Sequence, residues 1–243
     1  QGLGNVGYHA AKFMQEGGAT PVGVSEYEGG IYNKDGLDVD AVVTHRREHE
    51  SIFDFPGAEN VASSSELLEY PCDILIPAAL QNQITRKNAH RIQANIIGEA
   101  ANGPVTAAAN DILKERGVLL IPDFYLNAGG VTVSYFEWLK NLSHVRYGRM
   151  QKRFEESANQ RIVEAFEELT NKKLDIDKRQ EIIEGPGEED IVNSGLEDTM
   201  IQAYQEMHTA RNHHEKSIDL RTAAFIVSIN KIARSYRELG IFP

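Results

Sequence analysis

Cysteine is almost absent: Cys72 is the only one in 243 residues, so no intrachain disulfide can staple the fold, which accords with a reducing compartment. Long apolar runs are absent as well, and no stretch approaches the eighteen or so apolar residues that a helical membrane crossing needs. Positive charge is scarce. The 25 Lys and Arg are outnumbered by 36 Asp and Glu, a formal net charge of -11. That balance speaks against a nucleic-acid partner, because displacing counterions from phosphates takes clustered cations. With 20 glycines and 8 prolines the chain is neither collagen-like nor low in complexity. What is there is ordinary for a globular protein: 41% hydrophobic and 25% charged residues, in a length that suits one large or two modest domains.

Along the first 120 residues, short apolar runs alternate with helix-like stretches, the pattern of parallel βαβ units. Residues 5–16 read as a helix with Val6, Ala10, Phe13 and Met14 on its inner face, ended by Gly17 and Gly18. TPVGVSE (20–26), CDILIP (72–77), NIIG (95–98) and VLLIP (118–122) read as buried parallel strands of one open sheet. Ser63 has capping-box spacing to Glu66 ahead of Leu67, and Thr106 can cap the helix that follows it. After Asn127 the strands stop. Helical periods follow at 130–143, about 149–172, 194–213 and 219–239, and the acidic stretch DIDKRQEIIEGPGEED reads as an irregular surface excursion broken by Gly185, Pro186 and Gly187. No internal repeat is evident.

The opening QGLGNVG holds GxGxxG in Gly2, Gly4 and Gly7, and an acidic residue, Glu26, stands nineteen positions beyond Gly7 at the end of the next expected strand. In a dinucleotide fold the first glycine permits a tight turn, the second lets backbone approach a pyrophosphate, and the third lets helix pack on strand. Such a loop belongs at the carboxyl end of a strand, so a strand is expected before Gln1 and the sequence is expected to be part of a longer one. Other features read as structural. His45 and His49 have metal-ligand spacing but lie among Arg46, Arg47 and Glu48 without an evident third ligand, which reads as a solvated helix face. Cys72 has no adjacent base to activate it.

Longer runs carry a resemblance. GLGNVGYHAAKF, CDILIPAAL, EAANGPVT and above all PDFYLNAGGVTVSYFEWLKNL resemble the glutamate dehydrogenase family, and the likeness extends to IDLRTAAFIVSINKIARSY near the end of the chain. It implies an α/β fold: a Rossmann-like doubly wound sheet followed by an all-helical C-terminal part. The expected division is a dinucleotide-binding domain over 1–126 and a helical region over 127–243. Residues from about 147 to 188 resemble the antenna excursion of the animal and protist hexameric enzymes.

The resemblance also implies roles. Gly2, Gly4 and Gly7 with the amides of Asn5 and Val6 would meet the pyrophosphate, and Glu26 the adenosine ribose hydroxyls. Ala79, Asn102 and Asn127 would surround the nicotinamide ribose and carboxamide, a task for amides because they both donate and accept. Val131 would lie along the methylenes of glutamate and Ser134 at its distal carboxylate. No catalytic residue is assigned in this chain: the proton-moving carboxylate and the substrate-holding lysines are expected in an N-terminal domain preceding it. No metal is implied. The cofactor is expected to be NAD, with NADP as the second possibility, since Glu26 is anionic where a 2′-phosphate would sit and the nearest basic residue downstream is Lys34. The substrate would be L-glutamate or 2-oxoglutarate, the assembly a homohexamer, and the compartment the mitochondrial matrix or else the cytoplasm, with no nucleic-acid or membrane partner. Two alternatives remain at this stage. One is a relative acting on leucine, valine or phenylalanine, although Ser134 suits a carboxylate better than an apolar side chain. The other is a non-catalytic nucleotide-binding module.

Overall fold

The computed structural model describes residues 1–142, 147–214 and 217–240. Ser143, where the first of the C-terminal helices is expected to end, lies outside them. The chain divides into two compact units, Gln1–Ala128 with Ala203–Pro243, and Gly129–Gln202.

The first unit opens with an extended segment and helix α1 (Asn5–Glu16), followed by β1 (Gly23–Glu26), β2 (Gly29–Tyr32), α2 (Val39–His49), β3 (Glu59–Val61) and α3 (Ser64–Leu67). Strands β1, β2 and β3 form an antiparallel sheet in that order, with Val24 facing Ile31 and Ile31 facing Asn60. Next come β4 (Ile74–Leu75), β5 (Ile96–Gly98), α4 (Ala107–Glu115) and β6 (Leu119–Ile121), whose strands form a parallel sheet in the order β4, β5, β6. The short helix α5 (Asp123–Leu126) closes this run. The mixed α/β architecture with a parallel sheet is the one expected. Membership of the strands is not: TPVGVSE joins an antiparallel hairpin rather than the parallel sheet. Its partner escapes a pattern reading because GGIY opens on two glycines, which lower strand propensity.

Between β1 and β4 lies a slot of about 980 Å³, lined by residues 22–25 and 72–76 and by Gly7, Ala10, Ala11 and Met14 of α1. That set, at i, i+3, i+4 and i+7, is the inner face of α1. Phe13 and Val6, expected on it, are 63% and 53% exposed. Among the described residues, backbone hydrogen bonds bridge the slot only at residues 1 and 2: Gly2 N–H donates to the Ser25 carbonyl at 2.7 Å, and Ala78 N–H to the Gln1 carbonyl at 2.8 Å.

The core beneath the parallel sheet combines Leu75, Ile97 and Leu120 with Ile84, Ile92, Val105, Ala109 and Leu113. Thr106 caps α4 by accepting from Ala109 N–H. Ser63 does not cap α3; its hydroxyl pairs with that of Ser65 instead, at 2.7 Å, so the short helix starts without the expected box.

The second unit consists of α6 (Gly129–Leu142), α7 (Tyr147–Thr170), α8 (Ile176–Glu184) and the first part of α9 (Glu188–His213). Helix α8 lies within the stretch read as irregular. Asp175 caps it, and Arg179 reaches Glu164 and Glu167 of α7, so helix forms up to Gly185. The rest of α9 and α10 (Leu220–Leu239) belong to the first unit, where Met207, Leu220 and Ala224 pack with Phe124, Tyr125 and Leu119.

Ile97 is fully buried at the centre of the parallel sheet. Ile97→Ala should therefore lower the unfolding free energy by about 2–5 kcal/mol, through lost transfer energy and the cavity left behind. Phe13→Ala, on an exposed ring, should change it by less than about 0.5 kcal/mol. Chemical denaturation of both variants checks this ordering, and equal losses would contradict it.

Candidate functional site

Three strand ends and the glycine loop converge within the first unit. Gly2 has φ +87, and a Cβ built there would come 3.0 Å from that of Ala79, so the loop lies directly against the end of β4. Ala101 N–H donates to the Pro77 carbonyl at 2.9 Å, joining the ends of β4 and β5. Gly103 N–H donates to Asp123 Oδ2 at 2.8 Å, joining the ends of β5 and β6. Ligands of open α/β folds sit at such carboxyl ends.

The glycine loop has two kinds of glycine. At Gly7 an added Cβ would lie 1.8 Å from the Gly2 carbonyl oxygen, which no backbone adjustment of a few tenths of an ångström relieves. At Gly4 nothing lies within 4 Å. Gly4 is the N-cap of α1, offers no side-chain cap, and is followed by a first turn without acidic residues. The amides of Asn5 and Val6 thus begin a helix whose first donors are unsatisfied by side chains and whose dipole favours an anion.

Glu26 ends β1, and its side chain is 12% exposed. One carboxylate oxygen accepts from Leu3 N–H, and the other accepts from Arg46 Nη2 at 3.1 Å. Arg46 Nη1 donates in turn to the Leu3 carbonyl at 3.0 Å. Arg46 gives Glu26 a cation in space that proximity in sequence does not provide. It stands twenty residues on in sequence, but α2 returns it to the loop. Glu28 is engaged elsewhere, accepting from Ser51 Oγ and Ile52 N–H at 2.9 Å each.

Asn102 and Asn127 are brought together. Asn127 Nδ2 donates to Asn102 Oδ1 at 2.6 Å. With the amides turned this way, Asn102 presents its NH2 and Asn127 its oxygen, a donor beside an acceptor. Behind them Glu99 is completely buried, bonded by Val105 N–H, Asp123 N–H and the Arg221 guanidinium. Burial pushes its carboxyl above the ordinary range, against the pull of Arg221. Sequence reading missed Glu99 and Arg221. The available signal was a charge set in an otherwise apolar strand (NIIGEA) and another on an apolar helix face (DLRTAAF).

Val131 and Ser134 belong to the second unit, in the first turns of α6, where both are exposed. The Ser134 hydroxyl donates back to the Gly130 carbonyl at 3.0 Å, a bond any helical serine can make. His45 and His49 stack at 4.2 Å, and each ring bonds a backbone carbonyl. Among the described residues no three His, Cys, Asp or Glu gather as a metal site. Cys72 is half-buried, and burial pushes its thiol up, away from nucleophilic use.

The family model for Glutamate/Leucine/Phenylalanine/Valine dehydrogenase matches residues 1–184. The mitochondrial glutamate dehydrogenase of Dictyostelium discoideum is 53% identical over 240 residues, 99% of this chain and 47% of that protein. The crystal structure of glutamate dehydrogenase from Peptoniphilus asaccharolyticus, 25% identical, superposes with a TM-score of 0.67 over 100% of this chain and 46% of its own. The hetero-hexameric enzyme of Thermus thermophilus shares the fold at 21% identity and a TM-score of 0.67, over 100% of this chain and 47% of its own. The chain spans about half the length of the curated relatives it matches.

The two glycines should respond differently to a methyl group. Gly7→Ala should disrupt the loop and lower both the melting temperature and NADH affinity. Gly4→Ala should lower the melting temperature much less, by the cost of alanine at an N-cap, while weakening NADH, because its open space is needed when an anion approaches. Thermal melts with and without NADH distinguish the two, and identical behaviour would contradict the assignment.

Proposed function

Because this chain belongs to the Glutamate/Leucine/Phenylalanine/Valine dehydrogenase family, we propose that it is the coenzyme-binding half of a glutamate dehydrogenase, interconverting L-glutamate with 2-oxoglutarate and ammonia. The observation that carries this reading is the Asn102–Asn127 pair, held at 2.6 Å at the strand ends with one donor and one acceptor turned outward. That arrangement complements a carboxamide. It stands in the same unit as an uncapped helix N-terminus and a glycine with open space before it, which suit a pyrophosphate.

A nicotinamide coenzyme supplies hydride transfer when bound. The residues of this chain hold and orient it: Gly2, Gly4, Gly7 and the amides of Asn5 and Val6 at the phosphates, Glu26 at the adenosine ribose, and Ala79, Asn102 and Asn127 at the nicotinamide end. Orientation is the main contribution, since a reacting pair held in line gains several kcal/mol over a free encounter. Proton-transfer groups and substrate lysines are expected outside these residues. Coenzyme binding falls to residues 1–126 together with Asn127 at their boundary, braced by α10, which folds with them. In the helical remainder, 127–243, the α7–α8 pair is the proposed antenna, within about 147–188.

Substrate choice rests on α6. Val131 would face the methylenes and Ser134 the distal carboxylate of glutamate. In the full-length protein, NADH production should follow glutamate far more strongly than leucine, valine or phenylalanine. Ser134→Ala should raise KM for glutamate by about tenfold or more, the value of a hydrogen bond to a charged group, with NADH affinity unchanged. Unaltered glutamate kinetics would return Ser134 to its helical bond with Gly130.

The coenzyme of choice is NAD, with NADP tolerated. Glu26 can accept from ribose hydroxyls and repels a 2′-phosphate, while Arg46, on the same carboxylate, offsets that repulsion and offers a donor. Arg46→Ala should therefore lower kcat/KM for NADP more than for NAD, whereas Glu26→Ser should move preference toward NADP. Steady-state kinetics with both coenzymes checks the pair, and parallel changes would refute it.

A homohexamer suits the exposed apolar faces. Phe225, Ile229, Ile232 and Tyr236 form an exposed stripe along α10, and Phe154, Ile162, Phe166 and Leu169 lie exposed on α7, apolar side chains that subunit contacts would cover. Similarity to the mitochondrial glutamate dehydrogenase of Dictyostelium discoideum supports a mitochondrial location.

A further inference from the structure

The last helix of the first unit reaches back to the strand ends through one side chain. Arg221 donates through Nη2 to Glu99 and through Nη1 to Asp123 Oδ1 at 3.2 Å. Glu99 precedes Asn102 by three residues in one loop, and Asp123 precedes Asn127 by four through α5. The second oxygen of Asp123 accepts from Gly103 N–H, next to Asn102, and Asp123 N–H donates to Glu99 Oε2 at 2.9 Å. Each carboxylate is therefore tied both to the guanidinium and to the backbone of the other's loop.

We propose that Arg221 is a positioning residue for the amide pair: by clamping Glu99 to Asp123 it fixes the separation and facing of Asn102 and Asn127, and through them the angle of a bound carboxamide. This rests on the reading of the two asparagines as the nicotinamide end of the site. The planar fork is the essential feature, since it spans two carboxylates at once, which an ammonium centred on one point does not. Glu99 has no exposed surface, and an unpaired charge there would be costly, so the clamp has little freedom to relax while the fold persists. A shift of about 1 Å in such a loop is enough to misalign a reacting centre.

Helix α10 does not depend on Arg221 for its place. Asp219 caps it by accepting from Thr222 N–H at 2.7 Å, Asn110 donates to the same carboxylate at 2.9 Å, and Leu220, Ala223 and Ala224 are buried. Arg221→Lys should therefore fold.

The test uses the full-length protein with NAD and with 3-acetylpyridine adenine dinucleotide, whose methyl ketone lacks the amide donors. For Arg221→Lys, kcat/KM should fall about tenfold with NAD and less than about threefold with the analogue, while ADP-ribose, which has no nicotinamide, binds as to the unaltered protein. Asp123→Asn should give the same split and serves if Arg221→Lys does not assemble. Equal losses with both coenzymes, weakened ADP-ribose binding, or no loss with NAD would overturn the proposal. Asn102→Ala separates it from the reading beneath it. If Asn102→Ala discriminates between the coenzymes and the Arg221 and Asp123 variants do not, the clamp alone falls; if Asn102→Ala does not discriminate, the nicotinamide assignment falls and the clamp with it.

Discussion

A carboxylate without exposed surface sets the terms for this fold. Glu99 stands at the end of the central parallel strand, where a charge is tolerated only if its oxygens are bonded. Its partners come from three places: the backbone of its own loop, the start of α5 after β6, and the guanidinium of α10. Satisfying that one group draws together segments more than 120 residues apart in sequence. The parallel sheet gives the strand ends a common edge, and Glu99 makes them a single rigid rim. Residues 203–243 fold with the first 128 rather than with the helices between, held there also by the Asp219 cap and by buried Leu220, Ala223 and Ala224.

The glycine loop answers a different constraint, steric rather than electrostatic. Gly7 leaves no room for a side chain because α1 rests on the Gly2 carbonyl, and Leu3 is fixed at both its N–H and its carbonyl by Glu26 and Arg46. The end of β1, the loop and α2 are thereby one connected structure. A carboxylate at this position both supports the loop and faces the place where an adenosine ribose is proposed, so stability and specificity share the same atoms.

Local features were legible in the sequence and remote ones were not. The α1 and α10 helices, the cap at Thr106 and the parallel strands at 96–98 and 119–121 follow from periodicity and capping chemistry that act over a few residues. The hairpin of β1 with β2 was hidden because its second strand starts with two glycines, and α8 because a nearby Gly-Pro-Gly masks nine helical residues. Arg46 and Arg221 escaped for a topological reason: a cation's partner can lie 20 or 122 positions away, and nothing in the intervening residues records the distance in space. The motif GxGxxG with Glu26 gave the site's outline, whereas the arginines that brace it required the fold.

The slot between β1 and β4 bears on what the first unit can accommodate between its two sheets. Both strands turn an edge toward it, and among the described residues only residues 1 and 2 provide backbone hydrogen bonds across it. An edge of this kind is a template for extended peptide from another molecule. Room for an extended segment between the two sheets is therefore a property of the first unit's backbone, set by how β1 and β4 diverge rather than by any side chain.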